Sequence, residues 1–230
     1  MEIARQAEKW REEFEEASAA EVLRWAVERF HPKLALACSF QAEDLVILDL
    51  LNRIVPRPRV FYLDTGLLFA ETYELRDRVL ERYNVELLRY APELSVAEQA
   101  VVHGPNLWAS DPGLCCRLRK VEPLKRALAE LDAWITGIRR EQTPHRANAG
   151  VVEWDARFGL VKINPLARWT AAEVERYLRE RDVPRHPLYA LGYPSIGCMP
   201  CTAPVAPGED PRADRWRGFT KTECGLHADE

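Results

Sequence analysis

Six cysteines occur in this 230-residue chain, and four fall into two pairs, Cys115-Cys116 and Cys198-Met199-Pro200-Cys201. Thiolates in sets of four hold either zinc or an iron–sulfur cluster. The second pair has zinc-like spacing. The first does not, because adjacent side chains on a helix diverge by about 100°, which suits two corners of a cubane better than one tetrahedral ion. Spacing alone leaves zinc, a 4Fe–4S cluster and four metal-free buried thiols open. Cys38, inside an apolar run, reads as a small buried hydrophobe. Cys224 is different. It stands in Lys221-Thr222-Glu223-Cys224-Gly225-Leu226-His227, close to the C-terminus and after a Pro- and Gly-rich stretch. A thiol there, near Lys221 and His227, can ionise and act as a nucleophile toward two different partners. An incidental terminal cysteine is the other reading.

Anion chemistry is written beside the first cysteine pair. Arg117, Arg119 and Lys120 follow it with no acidic neighbour until Glu122. Fixed positive charge of this kind stabilises the oxyanions of a transferring sulfuryl or phosphoryl group. A solvated helix face is the ordinary fate of such a run, and the four neighbouring metal-type cysteines weigh against it. Three further polar motifs interrupt apolar segments: Ser39-Phe40-Gln41-Ala42-Glu43-Asp44, Asp64-Thr65-Gly66, and Arg139-Arg140-Glu141-Gln142. The first has no glycine and is acidic, so it is a poor cradle for pyrophosphate.

Elements must hold these groups together. Short, continuous apolar runs at 34–38, 59–63, 85–90, 133–137 and 160–164 read as strands buried on both faces. Helical spacing fills the intervals: one or two amphipathic helices over 3–30, then 45–53, 71–83, 95–102, 114–131, and 170–181 with Thr170 as N-cap. The stretch 104–113 reads as a polar loop, and regular structure thins after Pro184. Alternating strands and helices imply an α/β fold, a twisted parallel sheet with helices on both faces. In such sheets ligands sit at the carboxyl ends of strands, where the three polar motifs fall.

Composition narrows the class. The chain is 47% hydrophobic and 30% charged, ordinary for a globular protein, and its formal net charge of −4 argues against a nucleic-acid partner. No apolar run approaches the roughly 20 residues of a membrane span. The charged start has no basic segment followed by an apolar one, so a cytoplasmic location is expected. A body over 1–203 followed by a mobile tail over 204–230 is the expected organisation.

Taken in order, Ser39–Asp44, Leu63-Asp64-Thr65-Gly66, the Cys115-Cys116 run to Lys120, Gly137-Ile138-Arg139-Arg140, Cys198–Cys201 and Lys221–His227 resemble the assimilatory adenylyl-sulfate reductases. The resemblance implies an adenine-nucleotide alpha-hydrolase-like fold, related to the ATP-pyrophosphatases. It implies reduction of adenosine 5′-phosphosulfate to sulfite and AMP, with thioredoxin as electron donor. Cys115, Cys116, Cys198 and Cys201 would then ligate a 4Fe–4S cluster. Cys224 would be the nucleophile, with Lys120 and His227 completing the catalytic set. Substrate contacts are expected from Ser39, Phe40, Asp64, Thr65, Gly66, Arg119, Arg139, Arg140, Arg212 and Arg215. Asp214 departs from the family, which often has glycine there. The 3′-phosphorylated substrate is the alternative; members specialised for it generally lack the two cysteine pairs. Two rival readings are an ATP-dependent tRNA-thiolating enzyme and a zinc- or cluster-bound nucleotide-sensing module. The first lacks its phosphate loop here, and the second gives Cys224 no purpose. A homo-oligomer is compatible with the sequence.

Overall fold

The computed structural model describes residues 2–206 together with 208, 215, 216, 219, 225 and 226. Its centre is a six-stranded sheet in the order β3-β2-β1-β4-β6-β5. The strands are β1 (Leu34–Ala37), β2 (Arg59–Leu63), β3 (Glu86–Tyr90), β4 (Ala133–Ile135), β5 (Val152–Asp155) and β6 (Leu160–Ile163). All neighbours pair in parallel except β5, which runs antiparallel to β6 at the edge. The α/β fold and parallel sheet expected from the apolar runs are present.

Side chains along each strand alternate between two cores, as the two-residue period of a strand requires. Leu34, Leu36, Val60, Tyr62, Ala133, Ile135, Val161 and Ile163 enter one core. It also takes residues of helices α1 (Glu2–Glu13), α2 (Ala19–Phe30), α3 (Ala42–Asn52), α4 (Ala70–Arg82) and α9 (Ala171–Glu180). Ala35, Phe61, Trp134 and Leu160 enter the other, against Leu124, Ala127 and Leu128 of α8 (Glu122–Leu128). Three helices begin with a reciprocal capping box: Ser18 with Glu21, Ser95 with Glu98 ahead of α5 (Val96–His103), and Thr170 with Glu173. Each box satisfies two otherwise orphaned N–H groups.

The opening segment is two helices, within the one or two expected, and Trp10, Phe14, Trp25 and Phe30 stack where they meet. Two features depart from the sequence reading. Strand β5 had no continuous apolar run to announce it, because an edge strand is buried on fewer sides. The 104–113 stretch contains a short helix, α6 (Leu107–Ser110), and the helix expected from 114 begins earlier, as α7 (Pro112–Cys116). Among the described residues no helix is long and apolar enough to cross a membrane.

One polar hub ties the helices of the first core together. Asp49 of α3, buried, accepts hydrogen bonds from Tyr83 Oη at 3.1 Å, Tyr177 Oη of α9 at 2.7 Å and Arg53 Nε at 3.0 Å. Replacing Asp49 by Ala leaves one buried phenol, Tyr83, and one half-buried phenol, Tyr177, without an acceptor. We expect a loss of about 3 kcal/mol in urea denaturation. A loss below about 1 kcal/mol would mean that the phenols find other partners.

Candidate active site

The sheet winds outward from β1 through β2 to β3, then crosses to β4 on the other side of β1. The switch point therefore lies between β1 and β4, and there the loops leaving the two strands diverge and leave a crevice. A cavity of about 630 Å³ opens at this end of the sheet. Of the residues expected to bind substrate or metal, Ser39, Phe40, Thr65, Lys120, Arg139, Cys198 and Arg215 line it.

The loop after β1 is closed on itself. Asp44 Oδ2 accepts from both Ser39 N and Ser39 Oγ at 2.6 Å, and Ala42 N donates to Tyr189 Oη at 3.2 Å. Gln41 donates from Nε2 to Ser39 Oγ at 3.1 Å and accepts from Ile196 N at 2.9 Å, which fastens the 194–197 segment over the start of α3. Backbone donors that cradle pyrophosphate in Gly-rich loops are thus already engaged at Ser39 and Ala42. Gly137, after β4, approaches this loop so closely that a Cβ there would collide with Asp44 and Glu43. Arg139 then crosses the switch point, with Nε 2.9 Å from Glu43 Oε1 and Nη1 2.8 Å from Glu141 Oε2.

The loop after β2 is joined to both cysteine pairs. Cys198 Sγ lies 3.3 Å from Thr65 Oγ1, and Met199 N donates to Leu67 O at 2.7 Å. Arg119 is 3% exposed and donates to Thr65 O at 2.5 Å, Gln99 Oε1 at 2.8 Å and Leu94 O at 3.3 Å. Gly66, at φ +67°, turns the chain under that guanidinium. Helix α7 carries Cys115 and Cys116 and runs into a π-helical segment, Arg117–Val121, before α8 continues. The wider turn is a local departure that concentrates at functional sites. It buries both Arg119 and Lys120.

The four paired thiols are brought together. Cys115, Cys116 and Cys198 are buried and Cys201 is half-buried. Burial pushes the Cys115 thiol up to about 11, with the charges of Cys116 and Cys198 acting in the same direction. Cys201 is pushed to about 12 by burial and by Cys198, Cys116 and Cys115, while the Lys120 ammonium opposes the shift. Among the described residues no three His, Cys, Asp or Glu side chains close on one point as ligands of a single ion would. The thiols act on one another electrostatically across a shared space, and four such donors are of the kind that holds zinc or an iron–sulfur cluster.

Other expected site residues spend their bonds inside the fold. Asp64 accepts from Arg89 Nε at 2.6 Å, Tyr73 Oη at 2.7 Å and Gly66 N at 3.0 Å. Arg140 pairs with Glu15 at 2.6 Å and donates to Ala149 O at 2.8 Å. Asp64, Gly66, Arg119 and Arg140 do not line the cavity. Arg215 does, packed over the Trp216 ring and against Gly197, and its buried Nε has no hydrogen-bond partner. Arg212, Cys224 and His227 lie outside the described residues, as does most of the expected tail. Next to Cys224 in sequence, however, Gly225 O accepts from Arg157 Nη2 at 2.6 Å, and Leu226 lines the cavity. Asp44 and Gln142 line it as members of the expected strand-end motifs, whereas Arg146, Tyr189 and the 194–197 segment line it and were not among the expected site residues. Tyr189 and Arg146 carried no local signal.

Comparison with known proteins gives a consistent neighbourhood. The family model described as phosphoadenosine phosphosulfate reductase domain matches residues 33–204. A protein of Gloeobacter violaceus named phosphoadenosine 5′-phosphosulfate reductase is 52% identical over 94% of this chain and 91% of its own. One of Mycolicibacterium smegmatis named adenosine 5′-phosphosulfate reductase is 48% identical over 98% of this chain and 95% of its own. The crystal structure of phosphoadenylyl-sulfate reductase from Candida auris, a phosphate complex, superposes with a TM-score of 0.77 at 37% identity. It covers 86% of this chain and 96% of that one.

Asp44 gives the site a measurable signature. Burial pushes its carboxyl from 3.8 to about 6, against the two hydrogen bonds from Ser39, which lower it. The folded protein therefore holds this proton more tightly than the unfolded chain does. Stability from this group is greatest below the ordinary value and declines as pH rises through about 6. Asp44→Asn keeps an acceptor for Ser39 and loses the titration. Urea denaturation should show the Asn variant gaining about 2 kcal/mol on the parent between about pH 4 and about pH 7. Parallel pH profiles for the two proteins would show that Asp44 titrates normally.

Proposed function

The chain belongs to the phosphoadenosine phosphosulfate reductase family, and from that premise we propose that it is an oxidoreductase of sulfate assimilation that reduces adenosine 5′-phosphosulfate to sulfite and AMP. Thioredoxin is the electron donor and Cys224 the nucleophile. The observation that carries this reading is one cavity wall. Lys120, Arg215, Cys198 and Leu226, two residues beyond Cys224, all line the same space. The orphaned Nε of Arg215 supports an anion there, since a buried guanidinium N–H without an acceptor is costly. The 3′-phosphorylated substrate is the less favoured alternative, because both cysteine pairs are kept.

The chain's own groups supply the steps. Lys120 and Arg215 hold the phosphosulfate oxygens and stabilise charge as the sulfuryl group transfers. The Cys224 thiolate attacks sulfur in line; the S–O bond to phosphate breaks, AMP leaves with the bonding pair, and an S-sulfocysteine remains. AMP is a good leaving group and requires no proton. A thioredoxin thiolate then attacks Cys224 Sγ, so that an S–S bond forms and sulfite departs with the electron pair. The second thioredoxin thiol resolves the mixed disulfide and returns Cys224. The dithiol loses two electrons and sulfur gains them. These two attacks require the segment carrying Cys224 to close on the nucleotide for the first and to admit thioredoxin for the second.

Cys115, Cys116, Cys198 and Cys201 would hold a 4Fe–4S cluster, which supplies fixed charge beside the sulfate end while the electrons come from thiols. Lys120, whose ammonium acts on the Cys201 thiol, would stand between that group and the substrate. Protein purified without oxygen should be brown, absorb near about 400 nm, and carry about four irons with matching sulfide per chain. Stoichiometric zinc without sulfide would sink this assignment.

Incubation with adenosine 5′-phosphosulfate and no reductant should add about 80 Da, the mass of SO₃, to the peptide containing Cys224. Cys224→Ser should abolish adduct and turnover while AMP still binds. An adduct mapped to Cys38, or full activity of the Ser variant, would overturn the mechanism.

A further inference from the structure

The cavity is electrically polarised, and the proposed chemistry uses only one of its ends. At that end stand Lys120 and Arg215, beside Cys198. With the phosphosulfate there, the nucleoside must extend along the cavity into the crevice between β1 and β4, where such sheets take their ligands. The lining at this second end is acidic. Glu43, Asp44, Glu141 and Glu175 contribute carboxylates, against Arg139 and Arg146.

Both arginines are already engaged within the protein. Arg139 is buried, and its guanidinium donates to Glu43 at 2.9 Å, to Glu141 at 2.8 Å and to Trp169 O at 3.3 Å. One cation is therefore matched by two carboxylates before any ligand arrives. Arg146 donates to Gln142 Oε1 at 2.6 Å, and its charge acts on Asp44. Glu175 is paired with Arg185 at 2.5 Å. A ribose hydroxyl finds acceptors in this surrounding, because an O–H can donate to a carboxylate oxygen. A phosphate dianion meets the two carboxylates that already hold the Arg139 guanidinium between them. The contact of both carboxylates with Arg139 is already made in the resting protein.

We propose that the Glu43–Arg139–Glu141 triad at the switch point is the specificity device of this site, accepting ribose hydroxyls and turning away a nucleotide that bears a 3′-phosphate. The inference rests on the substrate reading above and adds to it the residues that choose between the two substrates. Discrimination comes from a like-charge contact against the wrong nucleotide, which costs more than a missing favourable contact.

The test measures binding of two product nucleotides, AMP and adenosine 3′,5′-bisphosphate, to the full chain by calorimetry. The parent protein should bind AMP at least ~10-fold more tightly than the bisphosphate. Glu43→Gln and Glu141→Gln should each shrink that ratio by ~10-fold, mainly by tightening the bisphosphate. Glu141 is the milder site, with its side chain about half exposed, and Gln there retains an oxygen for Ala171 N, which donates to Glu141 at 2.7 Å. It keeps the test decisive if Glu43→Gln does not fold. Equal binding by the parent, or an unchanged ratio in a folded Gln variant, would overturn the proposal. Turnover of each sulfated nucleotide is read in parallel. If neither yields sulfite while the binding ratios behave as stated, the substrate reading fails and the triad stands.

Discussion

A parallel sheet has two apolar faces, and both must be covered. Most of the rest follows from that constraint. Leu34 and Leu36 point into one core and Ala35 into the other, so β1 cannot lie at a surface. Covering both faces requires helices on each side, and winding in two directions from β1 produces the reversal between β1 and β4. The reversal leaves a crevice at the strand ends that no helix fills. The binding cavity is thus a consequence of topology before any functional residue is considered. What the sequence adds is its lining.

That lining is rigid on one side and polarised end to end. Arg119 is the main rigid element: a buried guanidinium on the helical segment after the first cysteine pair that reaches Thr65 of the β2 loop, Leu94 two residues ahead of α5 and Gln99 of α5. It was expected among the substrate contacts, yet its donors are occupied by Thr65, Leu94 and Gln99 and it does not line the cavity. The adjacent Lys120 does. The π-helical turn after Cys116 places these two consecutive cations in different surroundings. A regular helix would have kept the register of the cysteines and shifted that of the cations, since one extra residue per turn alters everything downstream.

The acidic half of the cavity has a different origin. Glu43 and Asp44 sit in the first turn of α3, where a helix N-terminus favours carboxylates, and Glu141 sits in the short helical turn after β4. Asp44 spends its charge on the backbone and hydroxyl of Ser39, and Glu43 spends its own on Arg139. Where a Gly-rich loop would offer bare N–H groups to a phosphate, this loop has satisfied them internally. The loop after β1 therefore keeps no open phosphate cradle at Ser39 or Ala42.

Much of this was legible in the chain itself. Continuous apolar runs mark β1, β2, β4 and β6 because a strand buried on both faces has no polar alternation to conceal it. The two cysteine pairs, the cationic run to Lys120 and the Thr170 cap were equally plain, since each is a local matter of residue type and spacing. Three things were not. Strand β5 is an edge whose half-exposed residues lack a distinctive pattern. Asp64, Arg119 and Arg140 looked like site residues because they flank site motifs, and only the fold supplies the Arg89, Gln99 and Glu15 partners that occupy them. Tyr189 and Arg146 reach the cavity from distant segments that carry no motif. Residue type and spacing determine the elements and the chemistry available; which side chains remain unspent for a ligand depends on long-range partners, and those exist only after the chain has packed.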